Sequence, residues 1–269
     1  MRFYAKGENT MKRNWARLSP LWMAFLWMTT GILGAGSSGC KARVPNLMSK
    51  SQEIELGREA QAQINQEYRG KLVTSGPQYE RLQRIARRIF PQAQKDFDVP
   101  YSIALIDDKQ VNAFAVPGGP IYFYTGLINL ASSDDEIASV LGHEAAHISQ
   151  RHSAQQISDA QGKGLLAQIL LDATNAGQLG GIAANIGLQL QQLSFSRDDE
   201  SEADAVGFDY MTQAGYDPDA MASFFRKMQQ AAGGRGGPEW LSSHPLTGKR
   251  VEAAEERARE YKQNRNVGN

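Results

Sequence analysis

The sequence predicts an α+β domain, mostly helical, with a small antiparallel sheet beside one long capped helix. Two patterns carry that prediction. Tyr101-Ser-Ile-Ala-Leu-Ile106, the run from Val111 to Val116, and Ile121-Tyr-Phe-Tyr-Thr125 are short, rich in β-branched and aromatic residues, and separated by Asp107-Asp108 and Pro117-Gly-Gly-Pro120. Such punctuation marks three strands. On either side of them apolar residues recur at spacings of three and four, which marks helices.

The chain has 269 residues, 41% of them apolar and 22% charged, enough to bury one substantial core. Formal charge is zero and no basic block interrupts the body, so no nucleic-acid partner is expected. Cys40 is the single cysteine, which excludes an intramolecular disulfide framework and a cysteine-based zinc knuckle. Any metal would be held by histidine and carboxylate.

The first forty residues read as a targeting segment outside the fold. Arg2, Lys6, Lys12, Arg13 and Arg17 precede a largely apolar run from Leu21 to Leu33, and Gly34-Ala-Gly-Ser-Ser-Gly39 follows it. The run is short for a membrane span and suits a signal-peptide core. Cys40 comes directly after, as in a bacterial lipobox, although Ser37 stands where lipoboxes usually carry leucine. The expectation is a lipidated Cys40 and an exported, membrane-anchored domain facing the periplasm. An uncleaved anchor, cleavage within the small residues, and a true start at Met11 are the alternatives. Residues 41–269 then form one domain, with its core at about 47–262.

Ser49 to Ile64 predicts a first helix. A second, around Gln78 to Phe90, sets Leu82, Ile85, Ile89 and Phe90 against Arg81, Arg84, Arg87 and Arg88, a face expected to be solvated, with an anionic membrane surface as a minor alternative. The three strands come next. Asn112-Ala-Phe-Ala-Val-Pro-Gly-Gly119 is a candidate sheet edge along which an extended peptide could add as a further strand, with Asn112, Ala113 and Phe114 as its residues. A hairpin whose Phe114 packs in the core is the plainer reading.

The next helix begins at Asp134, since Ser133 is a good N-cap and Glu136, three residues on, can complete a capping box. Ile137, Val140, Leu141, Ala145 and Ile148 form its apolar stripe. His143 and His147, four apart, point the same way and can share one metal. Glu144 lies one residue round from His143, beside the metal without being a ligand, and this is the His-Glu-x-x-His pattern of zinc peptidases.

Residues 165–172 and 182–193 suggest two amphipathic helices broken at Gly177 to Gly181. They are read as a helical hairpin, with a lid or a lipid-facing pair as alternatives, and Asp172, Asn175 and the glutamines argue against a membrane span. Catalytic zinc sites hold three protein ligands, so a third is needed. It is sought in Ser196-Arg-Asp-Asp-Glu200-Ser-Glu202-Ala-Asp204-Ala-Val-Gly207, on a helix reaching Ala214 and stopped by Gly215. Several carboxylates compete. Glu200 and Asp204 share a face, so Glu200 can bind the metal while Asp204 accepts from a ligand histidine. Glu202 faces elsewhere, and Asp198 and Asp199 fit a helix start. Asp217-Pro218 predicts an N-cap and first turn for another helix to about Ala232, Gly233-Gly-Arg-Gly-Gly-Pro238 a loop, and Lys249 to Tyr261 a closing helix.

His143-Glu-Ala-Ala-His147 with Glu200-Ser-Glu-Ala-Asp204 resembles the membrane-associated gluzincin peptidases, the family of the HtpX heat-shock proteases and CaaX prenyl proteases. The resemblance extends to Gln52-Glu-Ile-Glu-Leu-Gly57, Asn112-Ala-Phe-Ala with Pro117-Gly-Gly119, Gly126-Leu127, and Ser243-His-Pro245 with Arg250. In layout the chain is similar to the small periplasmic lipoprotein members. The resemblance implies a zincin fold, one zinc ion per chain, His143, His147 and Glu200 as ligands, Glu144 as base, and endopeptidase action on polypeptides, with envelope quality control as the expected setting. A non-catalytic chaperone or adaptor using the same cleft is the rival, against which an intact Glu144 weighs. His244, by its family match and the loop before it, is expected to reach the site, either assisting hydrolysis or occupying the open metal position. His152 is read as structural. Substrate identity and oligomeric state are not legible.

Overall fold

The computed structural model describes residues 46–162, 190, 193–233 and 237–267. The targeting segment with Cys40 and the two helices expected at 165–172 and 182–193 lie outside the described residues, apart from Leu190 and Leu193.

Helix α1 (Lys50–Glu67) starts at a complete capping box, in which Ser49 accepts from the Gln52 amide and the Gln52 side chain accepts from Ser49 N. Helix α2 (Pro77–Asp96) is longer than the apolar stripe alone suggested and runs through Pro91. An interior proline removes one backbone hydrogen bond and costs about 3 kcal/mol. Pro91 lies on the exposed face, while Ala93 two residues later is fully buried and Asp96 accepts a 2.5 Å bond from the Tyr210 hydroxyl, so packing holds the last turn. Two arginines of the outer face are engaged rather than merely solvated: Arg81 donates to Asp134 at 2.5 Å, and Arg88 stacks over Tyr216 at 4.2 Å.

The sheet has four strands, β1 (Leu72–Val73), β2 (Ser102–Ile106), β3 (Ala113–Ala115) and β4 (Pro120–Tyr124), in the order β1-β2-β4-β3. It is mixed, not wholly antiparallel as expected. β2 and β4 pair in parallel from Ser102↔Pro120 to Ile106↔Tyr124, because the β3–β4 hairpin folds outward and leaves β3 at the edge. Parallel strands are stable when both faces are covered, and every residue of β4 is buried. Leu105, Ile121 and Phe123 enter one core with α2 and the helices of the site; Ile106, Phe114, Tyr122 and Tyr124 enter a second with α1 and part of α5. The sheet is therefore the middle of three layers.

The short helix α3 (Thr125–Leu130), absent from the sequence reading, turns the chain from β4 into α4 (Asp134–Ser149). Ser133 caps α4 as expected, but Glu136 closes on the Ser132 amide at 2.7 Å rather than on Ser133, and is held there by Lys227 and Ser223. Helix α5 (His152–Gly162) follows after Arg151, and α6 (Arg197–Gln213) begins at a second complete capping box, Ser196 with Asp199. Helix α7 (Ala220–Ala232) starts two residues later than predicted, because Asp217 turns back to accept from the Asp219 amide at 2.9 Å. The one-turn helix α8 (Trp240–Ser243) and the closing α9 (Gly248–Val267) complete the fold. No helix among the described residues is long and apolar enough to cross a membrane.

Helices α4 and α6 cross at Gly142 and Gly207. A Cβ on Gly142 would lie 2.6 Å from Gly207 O, and one on Gly207 would lie 2.7 Å from His143 N. Only two glycines allow the backbones so close, and this approach brings the acidic face of α6 onto the histidines of α4.

Candidate metal centre

Four buried side chains converge between α4, α6 and the turn after α8. His143, His147, Glu200 and His244 are each 1% exposed, and each offers a donor atom within 4.8 Å of the others. The two α4 histidines meet at their Nε2 atoms, 3.0 Å apart. Glu200 Oε1 lies 3.4 Å from His147 Nε2, and Glu200 Oε2 lies 3.7 Å from His143 Nε2. His244 Nδ1 sits 3.2 Å from His143 Nε2 and 2.9 Å from Glu200 Oε1. The competition among the acids of α6 is thereby resolved: Glu200 joins the histidines, and Asp199 serves as a capping residue.

Asp204 is one turn beyond Glu200 and accepts from His143 Nδ1 at 3.0 Å. That bond places the His143 proton on Nδ1 and leaves the Nε2 lone pair turned into the cluster. Arg250 of α9 grips the same carboxylate through Nε and Nη2, both at 2.7 Å, and its Nη1 is 2.5 Å from Glu200 Oε2. Its guanidinium also lies over Phe225, 5.0 Å from the ring centre. Burial works against ionising the Asp204 carboxyl, but the bonds from His143 and Arg250 outweigh it and hold the group below the ordinary aspartate range. Glu200 follows the same logic: burial raises it, while His244, His147 and His143 together hold it far below the ordinary range. His147 is pushed well below the ordinary histidine value by burial, and the neighbouring His143 and His244 add to that. It is therefore neutral. For His244, burial opposes the charge, but Glu144 and Glu200 prevail and raise it.

Lone pairs of two imidazoles and a carboxylate facing one point repel each other unless a cation lies between them. A borderline-soft divalent ion with nitrogen and oxygen ligands suits that donor set. Glu144 is wholly buried; its Oε1 accepts from Trp240 Nε1 at 2.8 Å, and its Oε2 has no hydrogen-bond partner among the described residues. An oriented carboxylate with one unengaged oxygen beside such a cluster can take up a proton.

A family model described as peptidase family M48 matches residues 77–258, which span α2 to α9 and include every residue of the cluster. The chain belongs to peptidase family M48. Among other members it is 32% identical over 216 residues to the mitochondrial metalloendopeptidase OMA1 of Schizosaccharomyces pombe, covering 78% of this chain and 62% of that one. It is 34% identical over 172 residues to the β-barrel assembly-enhancing protease of Yersinia pestis, covering 61% of this chain and 35% of that one. The corresponding Escherichia coli protease is 33% identical over 172 residues, again covering 61% and 35%. The chain thus spans between about a third and three fifths of the length of these relatives. The zincin arrangement of this M48 chain, helix α4 crossed by α6 beside a small sheet, is the fold expected from the sequence.

Four residues around the centre received no part in it from the sequence. Trp240 orients Glu144 and stacks on His244 at 4.7 Å; its place four residues before His244, after a glycine-rich loop, was the available signal. Phe195 stacks on His147 at 3.9 Å and ties its segment to the end of α8 by donating its amide to Ser243 O. His152, read as structural, lies 2.9 Å from His147, and Glu202, expected to face elsewhere, lies 3.2 Å from His152.

Proposed function

We propose that this chain is a zinc-dependent metalloendopeptidase that hydrolyses polypeptides on the periplasmic side of a bacterial envelope. The observation that carries the reading is Glu144 held beside the His143, His147 and Glu200 donors with Oε2 unengaged. A zinc ion bound by those three would supply a Lewis acid for the scissile carbonyl and the attacking water. Glu144 then accepts the water's proton at Oε2 and returns it to the leaving amine, while Trp240 keeps the carboxylate from rotating. Names given to relatives, a β-barrel assembly-enhancing protease and a mitochondrial metalloendopeptidase, support a role in envelope protein quality control.

The substrate track in this reading is β3. Its neighbours Asn112 and Val116 bond to β4 through Tyr124 N at 3.1 Å and Pro120 O at 2.8 Å. By antiparallel alternation Phe114 also faces β4, which leaves Ala113 and Ala115, both buried, turning their backbone groups away from β4. Phe114 itself stacks on Tyr122 with ring centres 4.9 Å apart. Ala113 and Ala115 therefore replace Asn112 and Phe114 as the positions at which a substrate strand would pair.

His244 has its Nδ1 inside the donor cluster in this conformation, which favours the inhibitory over the assisting role. Casein cleavage by the zinc-loaded chain tests both points. Wild type should cleave and His244→Ala should cleave faster; a slower variant would assign His244 to hydrolysis, and a zinc-loaded wild type without cleavage would favour the chaperone or adaptor rival.

The anchor is proposed from Cys40, its basic and apolar approach, and the small residues before it. Cys40→Ser should move the protein from the membrane to the soluble fraction of an expressing cell. Equal membrane retention of both forms would count against lipidation.

A further inference from the structure

The two α4 histidines are supported differently, and the difference assigns a role to a third. His143 rests on the Asp204 carboxylate. His147 instead presents its Nδ1 to another imidazole, His152 Nδ1, at 2.9 Å, and both rings are 1% exposed. On the far side His152 Nε2 lies 3.2 Å from Glu202 Oε2 and 3.9 Å from Asp199 Oδ1. Two facing nitrogens at 2.9 Å need one proton between them. If His147 Nε2 is a metal ligand it carries a lone pair, so the proton of His147 is on Nδ1 and His152 Nδ1 is the acceptor. His152 then has its proton on Nε2, facing two carboxylates.

The backbone is arranged for this contact. Helix α4 ends at Ser149, and a continuing helix would carry residue 152 away from residue 147, since five residues do not return to one face. The chain turns at Arg151, whose φ of 59° is the one positive value at a non-glycine residue among those described. Arg151 is held there by Glu53, itself 1% exposed, through a 2.6 Å bond from Nε, and by a bond from Nη2 to Met48 O. That turn makes His152 the first residue of α5 and lays its ring against His147. An unfavourable conformation held by an ion pair to a buried carboxylate of another element is a feature that ordinary chain reversal does not need.

We propose that His152 is a positioning residue for the metal centre: it accepts the Nδ1 proton of His147, donates its own Nε2 proton to Glu202, and so keeps the Nε2 lone pair of His147 aimed at the ion. The inference rests on the zinc reading above, and its test separates the two. Zinc affinity is measured by chelator competition on the full chain, with the visible spectrum of the cobalt-substituted protein as a report on ligand geometry. His152→Leu removes the acceptor and should weaken zinc binding about 10–100-fold, with an altered cobalt spectrum. His152→Gln restores an acceptor oxygen and should recover most of the affinity. A purely structural His152 predicts lower melting temperatures for both metal-free variants with unchanged affinity, and that result overturns the proposal, as does a glutamine variant as weak as the leucine one. If His152→Leu does not fold, nitrogen-15 spectra of the zinc-loaded wild type decide: a proton on His147 Nδ1 shared with His152 supports it, and any other arrangement overturns it. A wild type that binds no zinc sinks the zinc reading and this one together, whereas wild-type binding unaffected at residue 152 sinks this one alone.

Discussion

Glu144→Gln should lower casein cleavage by about 10²–10⁴-fold, the range supplied by a general base, and leave zinc binding unchanged. The side chain is wholly buried and the substitution is isosteric, so the fold has no reason to change. Trp240 Nε1 would still find an oxygen at the position of Oε1, preserving the 2.8 Å bond. What disappears is the basic Oε2, the atom with no hydrogen-bond partner among the described residues. Glu144 is not one of the four converging donors, so the metal should be retained. Zinc content and cleavage rate measured on one preparation check both halves. Full activity in this variant refutes the assignment of the base, and loss of zinc along with activity would make Glu144 a ligand instead. The inactive form would also retain bound polypeptides, and their identification would reveal the substrate.

Arg250→Met should destabilise the protein by about 3–5 kcal/mol, as expected when one partner of a buried ion pair is removed. In a domain of this size that is a fall in melting temperature of about 10 °C. Methionine fills much of the volume against Phe225 and Trp240 but leaves two carboxylates, Asp204 and Glu200, each 1% exposed, without the cation that touches both. The loss should depend on pH with a definite sign. Asp204 is held below its ordinary value of 3.8 in the folded protein, so its pairing contributes stability above that value and loses it as pH falls through the folded-state value. In the variant the bonds from Arg250 that help hold it down are gone, so the buried carboxyl takes a proton more readily than in the wild type. The difference between wild type and variant should therefore shrink as pH falls below 3.8 towards the wild-type folded-state value. Denaturant unfolding at several pH values measures it, and a loss under 1 kcal/mol at neutral pH would show that Arg250 is not the ion that holds these carboxylates.

Local features of the chain were legible because their causes are local. Ser133 caps the helix that follows because its hydroxyl reaches an amide three residues away. His143 and His147 face one point because a helix repeats every 3.6 residues. Glu200 and Asp204 share a face for the same reason. The mixed sheet was not legible: three short strands with turn residues between them read as a meander, and the choice to place β3 outside β4 depends on covering both faces of β4 with helices. The last turn of α2 was hidden by Pro91, whose cost is local while the compensating burial of Ala93 is tertiary.

The candidate site divides along the same line. The sequence by itself determined which residue types could hold a metal and move a proton, since His143, Glu144 and His147 follow from helical spacing and their chemistry. Only the tertiary structure decided which acid joins them, through the glycine crossing of α4 and α6 at Gly142 and Gly207, a contact between residues 65 positions apart. It also decided the supports: Arg250 for Asp204, Trp240 for Glu144, and His152 for His147, the last through a left-handed turn that no helical or strand period announces. Periodicity reports neighbours along one element, whereas the proton positions and charges of a buried centre are set by side chains that different elements bring together.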